Sequence, residues 1–417
     1  MPEFRSSAPA IGPLVQRQAE DLAVLGNVRL QQVSAPHVAL RHLRRLDDRI
    51  AAHLDALVVA GEAGRRMVAT LLADVGPGEV FAATLLALVD GDAAALKRLL
   101  ALAEAVPAGE PGLLAAFSFV SPRFLTGTVM ECLQSSHAFR RRVGIATCAL
   151  HGVDPGHALL EALDDDDAGL RVTALRIVGE CGVRERLDAC LRALDNDDPA
   201  VRLAAARSAA LLGATDAGVA ALTPVALQAG PAQADTLRLV LALSDPAAAN
   251  RLLATLARAP ASSRALIRGA GMSGDPHYVP WLIRQMHDVT VARLAGESFT
   301  LIAGPDLAWL DLERRTPPPA QHDDDDAQMD EDDGLPWPDP DGIEAWWRAS
   351  GPRFQAGARY FMGAPPTVAH CRTVLRDGCQ RQRDAAAEYL CLLQPGTGLF
   401  QTGAPAWRQQ RWLQRMA

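Results

Sequence analysis

The densest group of side chains that could do chemistry is an acidic run, "HDDDDAQMDEDDG", at residues 322–334. Such runs can bind Ca²⁺, but an EF-hand loop needs ligands at alternate positions, a central glycine and a terminal glutamate, and this run lacks that order. It follows three prolines at 317–319 and carries eight acidic residues between Gln321 and Asp333. We therefore expect no metal here, and we interpret the run as exposed, partly disordered chain that keeps the surface soluble or binds a basic partner.

Thiols are the second group that could do chemistry. The sequence has seven cysteines, an odd number, and no CxxC pair. Zinc sites and disulfide frameworks need regularly spaced pairs, so we expect reduced thiols that pack as small apolar side chains. The cysteines lie mostly in helical patterns, at Cys132, Cys148, Cys181, Cys190, Cys371, Cys379 and Cys391.

Motifs of the common enzyme chemistries are missing from the sequence. We find no nucleophile elbow, P-loop, dinucleotide-binding glycine pattern or HExxH pair. The glycine-rich stretch "GAGMSG" at residues 269–274 follows no strand and closes a helical pattern. We therefore predict no catalytic residues and no cofactor, and we expect that the protein is not an enzyme.

Charge and hydropathy limit the partners. The formal net charge of -8 about equals the contribution of the acidic run, so the remainder is near neutral and does not predict a nucleic-acid partner. The first residues, "MPEFRSSAPAIGPLV", lack a basic region followed by an apolar core, and no stretch is long enough to span a bilayer. We expect a cytoplasmic protein with no membrane partner.

The elements that position these residues are repeated helical pairs. Residues 194–213, "LDNDDPAVRLAAARSAALLG", match residues 163–182, "LDDDDAGLRVTALRIVGECG", without a gap. Related copies lie at 133–152, 256–274 and, more weakly, 71–91 and 375–394. A period of roughly 30 residues with an internal helix start and stop is typical of a solenoid, in which each unit buries its apolar face against its neighbours.

The charged residues at fixed repeat positions have a structural interpretation. Asp198 can cap the free N–H groups of a new helix, and Pro199 fits the first helical position, where its missing donor costs nothing. The arginine four residues after the cap can reach aspartates of its own loop or the adjacent one. We therefore assign a structural role, and no catalytic one, to Asp167, Arg171, Asp198, Arg202, Arg264 and Arg383.

The repeat unit resembles the HEAT repeat, in its short bacterial form, through Leu194, Asp198, Pro199, Val201, Arg202, Ala205 and Gly213 and their counterparts in the preceding copy. The resemblance implies an all-α fold, a right-handed α-solenoid of HEAT-like helical pairs with an aromatic-rich C-terminal cap. We expect an N-terminal tail or short helix at 1–35, the solenoid at 36–312, a Pro-rich and acidic loop at 313–342, and a helical cap with a degenerate repeat at 343–417.

Five of the seven tryptophans lie in the last 81 residues. They are consistent with an aromatic lid that covers the last apolar face of the solenoid, which repeat arrays need for solubility. They are also consistent with a contact surface for a protein partner, because tryptophan, tyrosine and arginine dominate such surfaces. The candidate partner-binding residues are Trp337, Trp346, Trp347, Arg348, Arg359 and Tyr360.

A second resemblance covers almost the whole chain. "HLRRLDDRIAAHLDAL", "RYFMG" and "APAWRQQRW" are among the motifs that look like an uncharacterised proteobacterial family with HEAT-like repeats, often encoded near type VI secretion components. The resemblance implies a non-catalytic scaffold or adaptor for effector loading, whose partner is a secretion component, effector or toxin. Two alternatives stay open: an immunity protein that neutralises a toxin, and a HEAT-like enzyme such as a bilin lyase or DNA glycosylase.

Overall fold

The computed structural model describes residues 11–259, 263–314 and 331–416. Within these residues the chain is all-α, and isolated β bridges join Glu313 with Pro338 and Phe361 with Ala364. The helices are α1 Gly12–Gln32, α2 Leu40–Ala60, α3 Glu62–Leu71, α4 Pro77–Asp90, α5 Ala93–Ala105, α6 Glu110–Phe119, α7 Thr128–Leu133, α8 Ala138–Leu150, α9 His157–Leu163, α10 Ala168–Glu180, α11 Leu187–Arg192, α12 Pro199–Leu211, α13 Thr215–Leu227, α14 Gln233–Leu243, α15 Pro246–Leu256, α16 Ser263–Ser273, α17 Val279–Gln285, α18 Ala292–Ala303, α19 Pro340–Ser350, α20 Val368–Asp377, α21 Gln380–Leu393 and α22 Ala406–Met416.

The helical pairs begin and end where the repeat pattern predicts. The Asp198 carboxylate accepts a hydrogen bond from the Ala200 N–H at 2.8 Å and caps α12, whose first residue is Pro199. At the other end Gly213 has a φ of 99°, in the left-handed region that glycine adopts without a steric penalty. Local capping therefore sets the limits of this helix.

The described residues divide into two compact units. The first takes its residues from 1–34, 38–177 and 401–417, and its core lies mainly among α1, α2, α4, α5 and α6. The expected N-terminal tail or short helix includes α1, a 21-residue helix, whereas residues 1–10 lie outside the described residues. The helix is long because Ala19 and Leu22 are completely buried in contacts with the rest of this unit.

Helix α22 is held in the first unit by buried polar groups. The Asp47 carboxylate accepts hydrogen bonds from the Ala406 N–H and from the Arg29 guanidinium, both at 2.7 Å. Arg408 donates to the carbonyl of Val120 at 2.7 Å. These buried hydrogen bonds therefore fix α22 in this unit.

The second unit takes its residues from 35–37 and 178–400. Its helical pairs are α11 with α12, α13 with α14, α15 with α16, and α17 with α18, and α19 packs against α17. The hairpin of α20 and α21 contacts the second helices of the first two pairs, α12 and α14. We refer to α12, α14, α16 and α18 as the second helices.

No single helix among the described residues is long and apolar enough to cross a membrane. One bent pair, Ala93–Ala105 with Pro107–Phe119, meets the length and composition criterion together, with a bend of 120°.

Candidate functional site

A row of charged residues lies on the second helices of the second unit. The row consists of Arg207 on α12, Arg238 on α14, Arg268 on α16 and Glu297 on α18. These positions recur at the repeat interval of roughly 30 residues, so each repeat contributes one charge. We call these four residues the charged row.

Helix α21 supplies the opposite charge at one end of this row. The Glu388 carboxylate accepts hydrogen bonds from Arg207 at 2.5 Å and from Arg238 at 2.7 Å, and all three groups are largely buried. Burial by itself would raise the pKa of Glu388, but the charges and hydrogen bonds of Arg238 and Arg207 outweigh it and hold that pKa below its usual range. One buried carboxylate therefore joins two repeats through two arginines.

At the other end of the row the signs are reversed. Arg381, two helical turns before Glu388 on α21, donates to Glu297 at 2.8 Å. Burial raises the pKa of Glu297 above its usual range, although the charge and hydrogen bond of Arg381 act in the opposite direction. Helix α21 therefore carries the complementary charges. Its Arg381 pairs with the carboxylate of the charged row, and its Glu388 pairs with two arginines of the row.

A narrow cavity of about 60 Å³ lies between α21 and the charged row. Gly271 and Ala385 leave this space because their side chains are small, and Arg268, Tyr360 and Tyr389 line it. Burial raises the pKa of Tyr389 to about 12, so this hydroxyl stays protonated at neutral pH. The cavity is small compared with sites for organic substrates. Each arginine that lines it is already paired with a carboxylate, with Arg268 held by Glu331 outside the wall, so the arrangement is an ionic clamp between helices.

The end of the acidic run binds basic residues of this same unit. The ion pairs are Arg264 with Asp332 at 2.7 Å, Arg268 with Glu331 at 2.8 Å, and Arg293 with Asp333 at 3.0 Å. Asp332 is only 2% exposed. Asp332 differs from the expectation of an exposed run, because an arginine of α16 compensates its buried charge, whereas Glu331 is exposed as expected. Residues 315–330, which contain the rest of the run, lie outside the described residues.

The predicted aromatic residues are partly packed. Trp346 and Trp347 of α19 contact the fully buried ring of Phe299 edge to face, at centroid distances of 5.7 and 6.3 Å. Trp337 lies under the Arg293 guanidinium at 4.9 Å. Each tryptophan is half-buried, whereas Arg348 is exposed and makes only a 3.8 Å pair with Glu344.

Arg359 and Tyr360 do not lie on an open contact surface. The Arg359 guanidinium donates to the carbonyls of Leu241, Ala242, Ser244 and Ser273, at the C-terminal ends of α14 and α16. Helix ends leave such carbonyls without partners, and a cation there also complements the helix dipole. The Tyr360 N–H donates to Gly274, and its hydroxyl accepts from Gln355. The polar groups of both residues thus join helix ends within the unit, and a role of these residues in partner binding stays a prediction.

The glycines that close the repeats contact the same C-terminal part of the chain. A Cβ atom at Gly274 would lie 2.2 Å from the Tyr360 carbonyl oxygen, and one at Gly182 would lie 2.4 Å from that of Gly396. Gly304 and Gly213 are similarly close to Met362 and Pro395. The segment at residues 359–396 thus contacts the closing turns of four repeats, and it can approach them because these glycines lack side chains.

Most of the charged residues with a predicted structural role contact their own helical pair, whereas Arg264 pairs with Glu331 and Asp332 of the acidic run. The Asp167 carboxylate accepts from the Leu170 N–H at 2.8 Å. Arg171 donates to the Asp165 carbonyl, and Arg202 to those of Asn196 and Asp197. Arg383 is completely buried and donates to the Leu375 carbonyl at 2.7 Å. These bonds tie the two helices of a pair to the loop between them.

One exposed residue was not singled out by sequence reasoning. Trp309 is 85% exposed, and the neighbouring Leu310 is 43% exposed. Their turn is ordered, since the Trp309 N–H donates to the Asp306 carboxylate at 3.1 Å and the Leu312 N–H to the Leu307 carbonyl at 2.8 Å. The available signal was an apolar "AWL" stretch directly after a Gly-Pro helix end.

Within the described part of the chain, no group of three or more His, Cys, Asp or Glu side chains could hold a metal ion. The described cysteines are free thiols. Burial raises the pKa of Cys132 and Cys371 to about 11, which keeps these thiols protonated and unreactive at neutral pH.

Comparison with known proteins identifies the repeats. The family model of HEAT repeats matches residues 157–244, the segment from α9 to α14. No curated protein and no solved structure matches the chain. The family match, with the paired helices, confirms the predicted HEAT-like all-α architecture. Arrays of such repeats usually bind other proteins and are usually not enzymes.

Proposed function

We propose that this chain is a non-catalytic scaffold that binds another protein, and that Trp309 is part of the contact surface. The observation that carries the proposal is an ordered turn that holds a tryptophan almost completely in water. Exposure of a large apolar ring to water is unfavourable, so a partner that covers the ring gains hydrophobic free energy on binding. Tryptophan is also enriched among the residues that contribute most to the free energy of binding.

The surface around Trp309 extends to residues that the sequence predicted. The Leu312 carbonyl accepts from the Asp339 N–H at 2.9 Å, directly before α19, so the Trp309 turn and α19 are neighbours. Trp337, Trp346, Trp347 and Arg348 stay in the proposal because each keeps an exposed part. Arg359 and Tyr360 leave it, because their polar groups bind within the chain.

For the partner we propose a type VI secretion component or effector, which the chain loads as an adaptor. The support is the resemblance of its C-terminal motifs to a family often encoded near such components. A cytoplasmic location fits this role. A toxin that the chain neutralises as an immunity protein is the competing partner, and the experiment below separates the two.

The test is affinity purification of the tagged protein from its native cells at low salt, followed by mass spectrometry. We expect one secretion component or effector to be recovered with the wild-type chain. Trp309→Ala should abolish that recovery and leave the melting temperature unchanged, because the side chain is in water. Trp347→Ala should instead lower the melting temperature, since it removes contacts with Phe299 and Phe354.

The matched control is Val59→Ala, which truncates another exposed apolar residue, 77% exposed, in the first unit. It should leave recovery unchanged. If Trp309→Ala and Val59→Ala recover the same amount of partner, Trp309 is not a contact residue. Rescue of cells that express the recovered toxin would establish the immunity role in place of the adaptor role. Purification without any protein partner, or with a bound pigment or nucleic acid, would contradict the scaffold itself.

A further inference from the structure

The first unit contains a second cavity, of about 380 Å³, beside α5. Its walls come from the end of α4, from α5, from the turn at 123–128, and from α7 and α8. Its volume lies in the range of small-molecule sites. The apolar side chains that line it include Leu96, Leu100 and Phe124, of which Phe124 is the most exposed.

Three cations line this cavity: Lys97, Arg123 and Arg140. Within the described residues none of them forms an ion pair, whereas the nearby Arg65 pairs with Asp90 at 3.1 Å. Lys97 is also the only lysine in the sequence. Unpaired cations that line one concave surface raise the local concentration of anions, in a chain whose net charge is otherwise negative.

Arg140 gives the second, independent observation. Its Nε atom is buried and has no hydrogen-bond partner within the described residues. A buried donor without an acceptor costs free energy, and the Arg140 side chain lines the cavity, where an acceptor from outside the chain would bind it. The hydroxyl of Thr128 adds another donor to the same wall.

Few acceptors of the chain compete with such a ligand for the donors of the cavity wall. The carbonyls of Ala87 and Leu88, at the end of α4, already accept from the N–H groups of Asp92 and Gly91. The Asp90 carboxylate is held by Arg65. Of the lining carboxylates this leaves Glu131, which is exposed. Three cations and one carboxylate match the two negative charges of a phosphate monoester.

We propose that this cavity binds a small molecule that carries a phosphate monoester and a compact apolar group. Arg123 and Arg140 provide planar groups for paired hydrogen bonds to phosphate oxygens, and Lys97 adds a compact positive charge. Leu96, Leu100 and Phe124 take the apolar group. This site lies on other residues than Trp309 and does not depend on the proposed scaffold role.

The test is calorimetric titration of the full chain with phenyl phosphate at constant ionic strength. We expect saturable binding that weakens about tenfold or more in Lys97→Met, Arg123→Met and Arg140→Met, because each variant removes charged hydrogen bonds. The matched control is Arg98→Met, which removes the same charge from the next residue of α5 and does not touch this cavity. Thermal unfolding of each variant verifies that it folds.

The outcomes separate the site from general charge attraction. Equal weakening by Lys97→Met and Arg98→Met, or no saturable heat with phenyl phosphate, would overturn the proposal. A peptide with one phosphoserine, titrated in parallel, tests the source of the phosphate: if only the peptide binds, the ligand is a modified protein and the small-molecule proposal is wrong. Trp309→Ala should bind phenyl phosphate as the wild type does, so the failure of one proposal leaves the other intact.

Discussion

Removing the charge of Glu388 should destabilise the second unit strongly. The change Glu388→Gln keeps the shape of the side chain but replaces one of its two acceptor oxygens with an NH2 group, which cannot accept from an arginine. It leaves Arg207 and Arg238 beside a neutral group, in a place from which water is largely excluded. Arg238 keeps only Asp235 at 3.2 Å, whose side chain is 65% exposed and is therefore a weak compensating charge.

The expected loss follows from the burial of this group. Breaking a buried ion pair by changing one partner typically costs about 3–5 kcal/mol, and we expect about 3 kcal/mol because glutamine retains some hydrogen bonding. For a unit of this size each kcal/mol lowers the melting temperature by about 2–4 °C, so the transition should move down by about 6–12 °C. The size of this loss depends on pH. The pKa of Glu388 is lowered in the folded state, so the stabilisation that its charge provides is present above the unfolded pKa and is lost as the pH falls through the folded pKa.

The assay is differential scanning calorimetry at neutral pH, with Glu344→Gln as the matched control. Glu344 pairs with Arg348 at 3.8 Å, but both side chains are more than half exposed, so this change should cost at most about 0.5 kcal/mol. The ionic clamp is refuted if both variants melt at the same temperature. In a double-mutant cycle with Arg238→Met, the loss caused by Glu388→Gln should become smaller, because one of the two stranded charges is then gone.

Three further predictions concern single residues. Arg359→Met should cost about 3 kcal/mol in chemical unfolding because it leaves helix-end carbonyls unpaired, whereas Arg348→Met should cost less than about 0.5 kcal/mol; equal losses would contradict the contacts of Arg359. Gly274→Ala should cost about 2 kcal/mol or more, since φ is 71° there and the new Cβ would meet the Tyr360 carbonyl oxygen; an unchanged melting temperature would show that this contact is absent. Burial lowers the pKa of His151 from 6.5 to about 4, with a contribution from the Arg408 charge, so the free energy of unfolding should fall as the pH drops from 6.5 to about 4. Over the same pH range His151→Gln should lose less stability than the wild type in urea unfolding; equal losses would contradict this assignment.

The repeat architecture could be read from the sequence because its determinants are local. Asp198, Pro199 and Gly213 set the start and the end of α12 through contacts within a few residues. The same pattern one repeat earlier predicted the helix that begins at residue 168. Such contacts need no knowledge of distant parts of the chain, so the match of 157–244 to HEAT repeats was predictable. The handedness of the array stays a prediction.

Only part of the candidate site could be predicted from the sequence. The charged row recurs at the repeat period, so Arg207, Arg238 and Arg268 could have been found by the alignment that found the repeats. Glu388 occupies the matching position of the copy at 375–394, but its pairing with Arg207 and Arg238 could not be found in this way, because it lies 150 residues from Arg238 and the alignment specifies no contact between copies. Arg359 has the same limitation: tryptophan and tyrosine neighbours suggested a contact surface, but its partners are carbonyls at the ends of α14 and α16.

By itself, the sequence determined the helical pairs, their caps and the closing glycines, because these depend on neighbours a few residues away. The tertiary structure decided which charges are paired, which tryptophan stays in water, and which cations in the first unit are left without carboxylates. Those properties depend on contacts between residues far apart in the chain, where no local spacing specifies the partner. The physical reason is that burial and ion pairing are set by the packed unit, whereas capping is set by the backbone next to it.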